Sequence, residues 1–460
     1  MNIFKRFAAA FLSVLTLSSL ALCAATPAKA IGTPSVSRVK AACVYCLDTG
    51  SGDGAELFSY NMDAQLYPTS STKIMTAIVA IETLKDRLDE TVTLTSEMLS
   101  SVSGNRLGLE AGEVLKIRDL IYILVTGGNN DAAVCLAYIC AGSVADFVNM
   151  MNEKAYEITG RTNTHYTNPT GLHDDLMVTT AEDTFLIAKY AWETPGLSLF
   201  REASSTDKYP IDKTNMSEAR NIFNRNCFIS TYYADLNNAK GYFNSSCSGI
   251  NAGGTEEGGQ CLITVAKNKE LSYLILVMGA DWEDDVNYSY VNAQTLLDWA
   301  FESYAMVEVL SKDKAICELP VTLSNATDRV LVYPEHDVYA FLPTDVDVSK
   351  EIEYNWGTEE EKLRAPVREG DAVGSISAYY NGKLLDPGSC RLVATTAVER
   401  SEFLYTLSRI EAFTKSKGFI AAVIFGVIVS VGVVFFNARR RASQKSDRKA
   451  YRGGRGAFRG

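Results

Sequence analysis

Apolar residues recur along this chain with two periods, one typical of strands and one typical of helices. Alternating β-prone runs cover residues 39–48 and 55–61, and the Gly-rich segment between them predicts a hairpin. From Ser70 onward the apolar positions follow a period of about 3.6 residues, which predicts an amphipathic helix that begins at Ser70. The same period predicts further helices over residues 117–125, 131–139 and 144–156.

Strand patterns return in the second half of the chain. Two apolar runs with a short polar connector, residues 260–267 and 272–279, predict an antiparallel pair, and a helical pattern follows over 290–304. Beyond residue 312, alternating runs separated by Pro and Gly predict a small β domain; these runs are 330–333, 338–342, 374–380 and 391–394. We therefore expect an α/β domain over residues 31–305 and a β-rich domain over 312–400.

The N-terminus has the layout of a cleavable secretory signal. Two cationic residues precede an apolar run over residues 7–22, and the small-residue segment 28–30 follows. This pattern predicts a signal peptide over residues 1–30. A lipid anchor on Cys23 is an alternative, but the bulky Leu22 stands where such a signal favours a small residue.

The C-terminal region carries the second membrane signal. Residues 419–436 contain no charge, and a helix of that length, at about 1.5 Å per residue, nearly spans a hydrocarbon core of about 30 Å. We predict a transmembrane helix there, preceded by a juxtamembrane helix over 401–418. The segment 437–460 holds nine Lys or Arg and one Asp, so the positive-inside rule predicts a basic cytoplasmic tail. The expected location is the cell membrane, single-pass, with the catalytic domain outside the cell.

Charge and composition exclude several functions. Between residues 31 and 436 lie 32 of the 44 basic residues and 54 of the 55 acidic residues, so this part has a net charge of −22. Such a charge argues against nucleic acid as a partner. The chain has three His and ten Cys, without paired C-x-x-C clusters, so we expect neither a metal site nor a cofactor.

The candidate chemistry lies at the start of the first predicted helix. Ser70-Ser71-Thr72-Lys73 places a hydroxyl and an amine on one face of a helical turn. A Lys in a partly desolvated cleft can lose its proton and serve as base to the Ser. The same Ser-x-x-Lys spacing occurs four more times, but only this pair opens an amphipathic helix after a Tyr-Pro loop. The alternative is an ordinary helix N-terminus with a capping Ser and a solvated Lys.

Further short motifs follow the Ser70 segment in a characteristic order and spacing. They are Pro68-Thr69-Ser70-Ser71-Thr72-Lys73, Asn130-Asp131-Ala132-Ala133, Thr167-Asn168-Pro169-Thr170-Gly171-Leu172, Thr180-Ala181-Glu182-Asp183 and, further on, Ala365-Pro366-Val367. Together they resemble the D-alanyl-D-alanine carboxypeptidases among the low-molecular-mass penicillin-binding proteins. The resemblance implies a penicillin-binding-protein or β-lactamase-like α/β serine-hydrolase fold, followed by a small all-β domain and one C-terminal transmembrane helix. It also implies peptidoglycan pentapeptide stems as substrates, β-lactams as covalent inhibitors, and a membrane anchor.

The same resemblance implies a role for each site residue. Ser70 would attack the carbonyl of the penultimate D-alanine, Lys73 would accept its proton, and Asn130 would hold Lys73 and the substrate amide. Backbone N–H groups of Ser70 and Gly254 would form the oxyanion hole, and Gly253 would keep the substrate-facing strand open. Asn251 would lie on the same strand, at the position where the family binds the terminal carboxylate of the substrate.

Two motifs depart from the family's pattern. Where the family has Ser-x-Asn, Gly128 replaces the Ser, so Thr126 or an irregular loop would have to supply the hydroxyl. Where the family has Lys-Thr-Gly, this chain has Asn251-Ala252-Gly253, which removes a positive charge and a hydroxyl donor. Losing one charge-assisted hydrogen bond costs roughly 1.5–3 kcal/mol, and losing a proton relay costs roughly 10²-fold in rate. Together they would lower carboxypeptidase activity by about 10³ to 10⁵.

Two functions of different classes therefore stay open. The first is a serine carboxypeptidase with weakened activity that removes the terminal D-alanine of pentapeptide stems. The second is a catalytically inactive relative that serves as a peptidoglycan-binding or cell-wall regulatory scaffold. The intact Ser70, Lys73 and Asn130 favour the first function, because they form the acylating core. A β-lactamase would share the fold, but the β domain and membrane anchor suit work at the cell wall.

Overall fold

The computed structural model describes residues 32–50, 52–100, 102–236, 239–283 and 285–453, with side chains described as far as Ser443. The predicted signal peptide and the end of the basic tail lie outside the described residues. By their internal contacts, the described residues form two compact units. The first comprises the chain up to Val307 together with Tyr339–Glu351, and the second comprises Glu308–Val338 together with the chain from Ile352 onward.

The helices are α1 (Thr72–Leu84), α2 (Ser96–Leu99), α3 (Ile117–Val125), α4 (Asn130–Ala141), α5 (Val144–Thr159), α6 (Ala181–Glu193), α7 (Ser198–Ser205), α8 (Tyr288–Ser303), α9 (Val348–Glu351), α10 (Glu402–Thr414) and α11 (Lys417–Gly453). The strands of the first half are β1 (Ala41–Cys46), β2 (Ala55–Tyr60), β3 (Gln65–Leu66), β4 (Thr91–Thr93), β5 (Val114–Lys116), β6 (Thr179–Thr180), β7 (Lys208–Ile211) and β8 (Arg220–Phe223). Those that follow are β9 (Cys247–Thr255), β10 (Gly259–Asn268), β11 (Leu271–Ala280), β12 (Trp282–Glu283), β13 (Val286–Asn287), β14 (Tyr304–Leu310), β15 (Cys317–Thr322), β16 (Arg329–Pro334), β17 (Val338–Pro343), β18 (Ile352–Thr358), β19 (Leu363–Arg364), β20 (Ala372–Tyr380) and β21 (Lys383–Ala394).

An antiparallel sheet lies at the centre of the first unit, in the order β2-β1-β11-β10-β9. The predicted hairpin is formed by β1 and β2, and the predicted antiparallel pair by β10 and β11, where Ile263 lies opposite Leu276. β1 also pairs with β11 and places Val44 opposite Ile275. β9 lies at one edge, next to β10. One sheet therefore combines two strands from the start of the described chain with three strands from more than 180 residues later.

Both faces of this sheet are buried, which explains the near-continuous apolar runs of its central strands. Along β11, Leu274 and Leu276 point into one core cluster, whereas Tyr273 and Ile275 point into the other. The first cluster contains residues of α1 and of α3 to α7, and the second contains residues of α8. The first unit is thus a sheet between two helical layers, as the predicted α/β class requires.

The second unit contains a sheet in the order β18-β20-β21-β16-β15-β19. The alternating runs predicted at 330–333, 374–380 and 391–394 lie in β16, β20 and β21. In β20 the buried Val373, Ile376 and Ala378 lie between more exposed neighbours, so one face of this strand is covered and the other is solvated. The all-β character predicted from the alternation is confirmed, while the run at 338–342 lies in β17, most of which groups with the first unit.

Two helices follow the β-rich part of the described chain. α11 includes the stretch Lys417–Ser443, whose most apolar 18-residue window has a mean hydropathy of 2.9 and is not buried. This stretch covers the predicted segment 419–436 and is long and apolar enough to cross a membrane. α10 carries exposed apolar side chains, among them Phe403, Leu407 and Ile410.

Candidate active site

All six residues singled out from the sequence lie in the wall of one cavity of about 420 Å³. Ser70 comes from the turn before α1, Lys73 from the first turn of α1, Asn130 from the start of α4, and the other three from β9. The cavity therefore lies between the helical layer and the edge strand of the sheet. Its lining residues from the sequence analysis are Ser70, Lys73, Gly128, Asn130, Asn251, Ala252, Gly253 and Gly254.

Ser70 lies in a tight turn rather than in the helix itself. A 3₁₀ turn covers Thr69–Ser71, and Thr69 has a left-handed φ of 50°. Such a conformation is costly for a residue with a Cβ, and it commonly occurs at functional sites. Ser71 fixes the turn by donating from Oγ to the Pro68 carbonyl at 2.5 Å, while Ser70 Oγ donates to Asn251 Oδ1 at 3.0 Å. The turn thus directs the Ser70 hydroxyl across the cavity to β9.

Lys73 is buried, with 8% of its surface exposed. Its Nζ donates to the Thr170 carbonyl at 2.5 Å. Burial and, to a smaller extent, the positive charge of Arg225 lower the pKa of Lys73 to about 8. The neutral amine, which can accept a proton, is therefore far more populated near neutral pH than for an exposed Lys, and its population rises with pH.

Asn130 begins α4 and is buried. Its Nδ2 donates to the Ser103 carbonyl at 2.7 Å, and its Oδ1 has no hydrogen-bond partner among the described residues. A buried acceptor without a partner is costly, and it is suited to receive a donor from a ligand. The implied hydrogen bond between Asn130 and Lys73 is not present: Asn130 Oδ1 has no partner in the described part of the chain, and Lys73 Nζ donates to the Thr170 carbonyl.

β9 brings its glycines close to the nucleophile. Gly253 lies opposite Cys261 of β10 and has a φ of 141°, which side chains rarely adopt. A Cβ at Gly253 would lie 3.1 Å from Ser70 Oγ, tighter than an ordinary contact. The strand can approach Ser70 this closely because Gly253 has no side chain. Gly254 follows and lies opposite Gln260.

Thr126 does not replace the hydroxyl that the second motif lacks. It is fully buried, and its Oγ1 donates to the Ala203 carbonyl at 2.6 Å, away from the cavity wall. Gly128 has a φ of 63°, and a Cβ added there would lie 3.4 Å from Cγ of Arg225, in ordinary van der Waals contact. The expectation for Thr126 is therefore wrong. The space beside Gly128 is occupied by the stem of Arg225.

Several further residues line the cavity that no pattern in the sequence had singled out as site residues. Arg225 contributes a guanidinium, Glu257 a carboxylate, and Thr255 a hydroxyl, and Asn105 and Thr170 contribute further polar groups. Thr170 belongs to the segment 167–172 that carries the family resemblance, and the other four stand in no motif that signals a function. Arg225 follows β8 in a polar segment, and only the fold brings that segment to the cavity.

The cavity and the fold define a class of protein. A Ser-x-x-Lys pair at the start of a central helix, facing the edge strand of an antiparallel sheet between helical layers, is the arrangement of the penicillin-binding proteins and serine β-lactamases. Residues 31–282 match the D-alanyl-D-alanine carboxypeptidase family, and residues 304–400 match the family described as penicillin-binding protein 5, C-terminal domain. The chain belongs to the D-alanyl-D-alanine carboxypeptidase family, which confirms the resemblance found in the sequence.

Named relatives and solved structures agree with this assignment. The chain is 26% identical over 361 residues to D-alanyl-D-alanine carboxypeptidase DacF of Bacillus subtilis, covering 77% of this chain and 86% of the relative. It is 27% identical over 363 residues to D-alanyl-D-alanine carboxypeptidase DacA of Escherichia coli, covering 77% of this chain and 83% of the relative. Penicillin binding protein 5 from Haemophilus influenzae has the same fold, with a TM-score of 0.54, 22% identity, and coverage of 80% of this chain and 100% of that one.

Proposed function

We propose that this protein is a serine-type D-alanyl-D-alanine carboxypeptidase that removes the terminal D-alanine from peptidoglycan stem peptides. The observation that carries the proposal is the common cavity, in which Ser70 lies near a buried Lys73 of lowered pKa and an unpartnered acceptor on Asn130. The family to which the chain belongs supports the reaction type. Ser70, Lys73 and Asn130 are the proposed catalytic residues, and Asn251, Gly253 and Gly254 line the proposed substrate-binding edge.

The proposed reaction has two half-reactions. Ser70 Oγ forms a bond to the carbonyl carbon of the penultimate D-alanine while its proton passes to neutral Lys73 Nζ. The C–N bond then breaks, and the proton passes to the leaving amine of the terminal D-alanine. Water subsequently attacks the acyl-enzyme and restores Ser70. Asn130 Oδ1 is positioned to accept a hydrogen bond from a substrate amide, since it has no other partner among the described side chains.

The resting hydrogen bonds must change before this reaction. The Ser70 hydroxyl donates to Asn251 Oδ1, and Lys73 Nζ donates to the Thr170 carbonyl. Rotation of the Asn251 amide would present Nδ2 to Ser70 Oγ and release the hydroxyl proton towards Lys73. This rearrangement, together with the two altered motifs, supports an activity that is weak for the family. β-Lactams would acylate the same Ser70.

The proposed location follows from the chain's two ends. Residues 1–30 would be removed as a signal peptide, and the carboxypeptidase domain (31–305) and β domain (312–400) would lie outside the cell. Segment 401–418 would lead to the transmembrane helix at 419–436, with the tail 437–460 in the cytoplasm. The apolar stretch of α11 supports the membrane helix. The charge of the tail supports its orientation.

The test is release of D-alanine from a peptide ending in D-Ala-D-Ala by the detergent-solubilised full chain. Ser70→Ala should abolish release, because the nucleophile is lost. Ser311→Ala is the matched control, since Ser311 has the same spacing to Lys314 but does not line the cavity. This control should retain full activity. Release that persists in Ser70→Ala, or that is absent from the parent chain, would contradict the proposal and favour a non-catalytic wall-binding role.

A further inference from the structure

We propose that Glu257 selects substrates that carry a positively charged side chain on the N-terminal side of their D-Ala-D-Ala end. This inference rests on the proposed function and concerns the specificity of that same site. Glu257 lies in the turn between β9 and β10 and contributes the one carboxylate among the described residues that line the cavity. Lys73 and Arg225, which also line it, are bases. The cavity therefore has one position where a cationic group of a ligand meets a complementary charge.

The position of Glu257 beyond the end of β9 indicates which part of a substrate it meets. The family's arrangement implies that the terminal carboxylate lies at Asn251 and the attacked carbonyl at the N–H of Gly254. A substrate in this orientation runs along β9 from Asn251 towards the end of the strand at Thr255. The residues before its scissile bond therefore approach the turn that carries Glu257.

A long side chain on the residue before the penultimate D-alanine can reach this turn. Glu257 lies three residues beyond Gly254. At about 3.3 Å per residue, its backbone therefore lies within about 10 Å of Gly254. The Cα of that substrate residue lies about 5 Å from the attacked carbonyl carbon, and an extended lysine side chain adds about 6 Å. The two lengths match, so an ammonium group at the end of such a side chain can meet the Glu257 carboxylate.

The turn that carries Glu257 is fixed against the segment before the nucleophile. The Gly258 N–H donates to Thr255 Oγ1 at 3.0 Å. Gly258 is buried, and a Cβ there would overlap Cγ2 of Thr69. Thr69 directly precedes Ser70, so the turn packs on the same short segment that positions the nucleophile. A fixed backbone reduces the entropy that the Glu257 side chain loses when it binds a ligand.

The carboxylate of Glu257 is available to a ligand. Among the described residues it accepts no hydrogen bond and forms no ion pair. His173, which also lines the cavity, has its Nε2 hydrogen-bonded to Asp175 Oδ1 at 3.2 Å. Glu257 is exposed, so solvent screens its pair with a cation more than it would screen a buried pair. We therefore expect a moderate preference for a cationic substrate rather than an absolute requirement.

The test compares two peptides that differ by one charge. Both end in D-Ala-D-Ala with a free carboxylate, and the residue before this end is lysine in one peptide and Nε-acetyl-lysine in the other. Binding is measured on full-length, detergent-solubilised Ser70→Ala, which lacks the nucleophile, and turnover is measured on the chain with Ser70. Ser70→Ala should bind the lysine peptide about 2- to 5-fold more tightly, the effect of one exposed ion pair. Added salt should reduce the difference.

The variants change one charge in the turn. Glu257→Gln, made in both chains, should remove the preference for the lysine peptide, and Glu257→Lys should invert it, because the new ammonium group repels that of the peptide. Glu256→Gln is the matched control. It removes the same charge from the same turn, and Glu256 is exposed but does not line the cavity. This control should keep the preference.

The outcomes separate this inference from the proposed reaction. A Glu257-dependent preference in binding without any turnover would leave the inference standing and contradict the reaction. Turnover of both peptides without a preference would support the reaction and overturn the inference. A preference that survives Glu257→Gln would overturn it as well. Equal losses in Glu257→Gln and Glu256→Gln would also overturn it, because they would assign the preference to the overall negative charge of the domain.

Discussion

Replacing Gly253 with Ala should slow the acylation of Ser70 by more than the added backbone strain alone would explain. The added Cβ would lie 3.1 Å from Ser70 Oγ and 3.3 Å from Ser70 Cβ, so the nucleophile or the strand must shift by a few tenths of an ångström. The backbone adds strain, because the φ of 141° is unfavourable for alanine and such strain costs about 1–3 kcal/mol. Since a misplacement of about 1 Å can cost about 10²-fold in rate, we expect acylation to slow by about 10- to 100-fold.

The matched control separates backbone strain from contact with the nucleophile. Gly108 also has a positive φ, 88°, but a Cβ there would meet no atom within 4 Å. Gly108→Ala should therefore lower the free energy of unfolding without a comparable loss of acylation. The assay is the second-order rate of acylation by a fluorescent penicillin, with thermal unfolding measured on the same proteins. Equal acylation losses in the two variants, or none in Gly253→Ala, would refute the reasoning.

Two further predictions concern the charges around the site and in the core. Acylation should accelerate by about tenfold per pH unit from pH 6 and level off near pH 8, because Lys73, with a pKa of about 8, becomes a neutral base as the pH rises. Arg225→Gln should move the inflection to higher pH, and a flat profile from pH 6 to 8 would contradict the role of Lys73. Arg220→Met should lower the free energy of unfolding by about 3 kcal/mol in a denaturation experiment, since the fully buried Glu113 loses its ion-pair partner at 2.6 Å. Lys213→Met breaks the exposed pair with Glu218 and should change the free energy of unfolding little. Similar losses of stability in both variants would contradict a special contribution of the buried pair.

The elements with strong periodic patterns could be predicted from the sequence. The helix predicted over 117–125 has the same bounds in the structure, because an amphipathic run ends at the Gly-rich segment 126–129. The central strands were predicted because they are buried on both faces and therefore almost wholly apolar. The first predicted helix begins later than expected, at Thr72, since the left-handed Thr69 and its 3₁₀ turn precede it. No hydrophobic period signals such a turn.

The nucleophile and its neighbours could be predicted from local motifs, whereas the position of Thr126 and the presence of Arg225 in the cavity wall could not. Thr126 was a reasonable candidate by distance along the chain, but its hydroxyl faces the Ala203 carbonyl inside the core. Arg225 lies far from every motif in sequence, and long-range packing brings it beside Gly128. Side-chain direction and contacts between distant segments decide both cases, and neither is encoded in residue spacing.

The central claim is that Ser70 is a live acylating nucleophile. It is tested most directly by the intact mass of the full-length protein after incubation with a fluorescent penicillin, beside Ser70→Ala. We expect one stable adduct on the parent chain and none on the variant. No adduct on the parent at high drug concentration and long times, or an adduct that persists in Ser70→Ala, would contradict it.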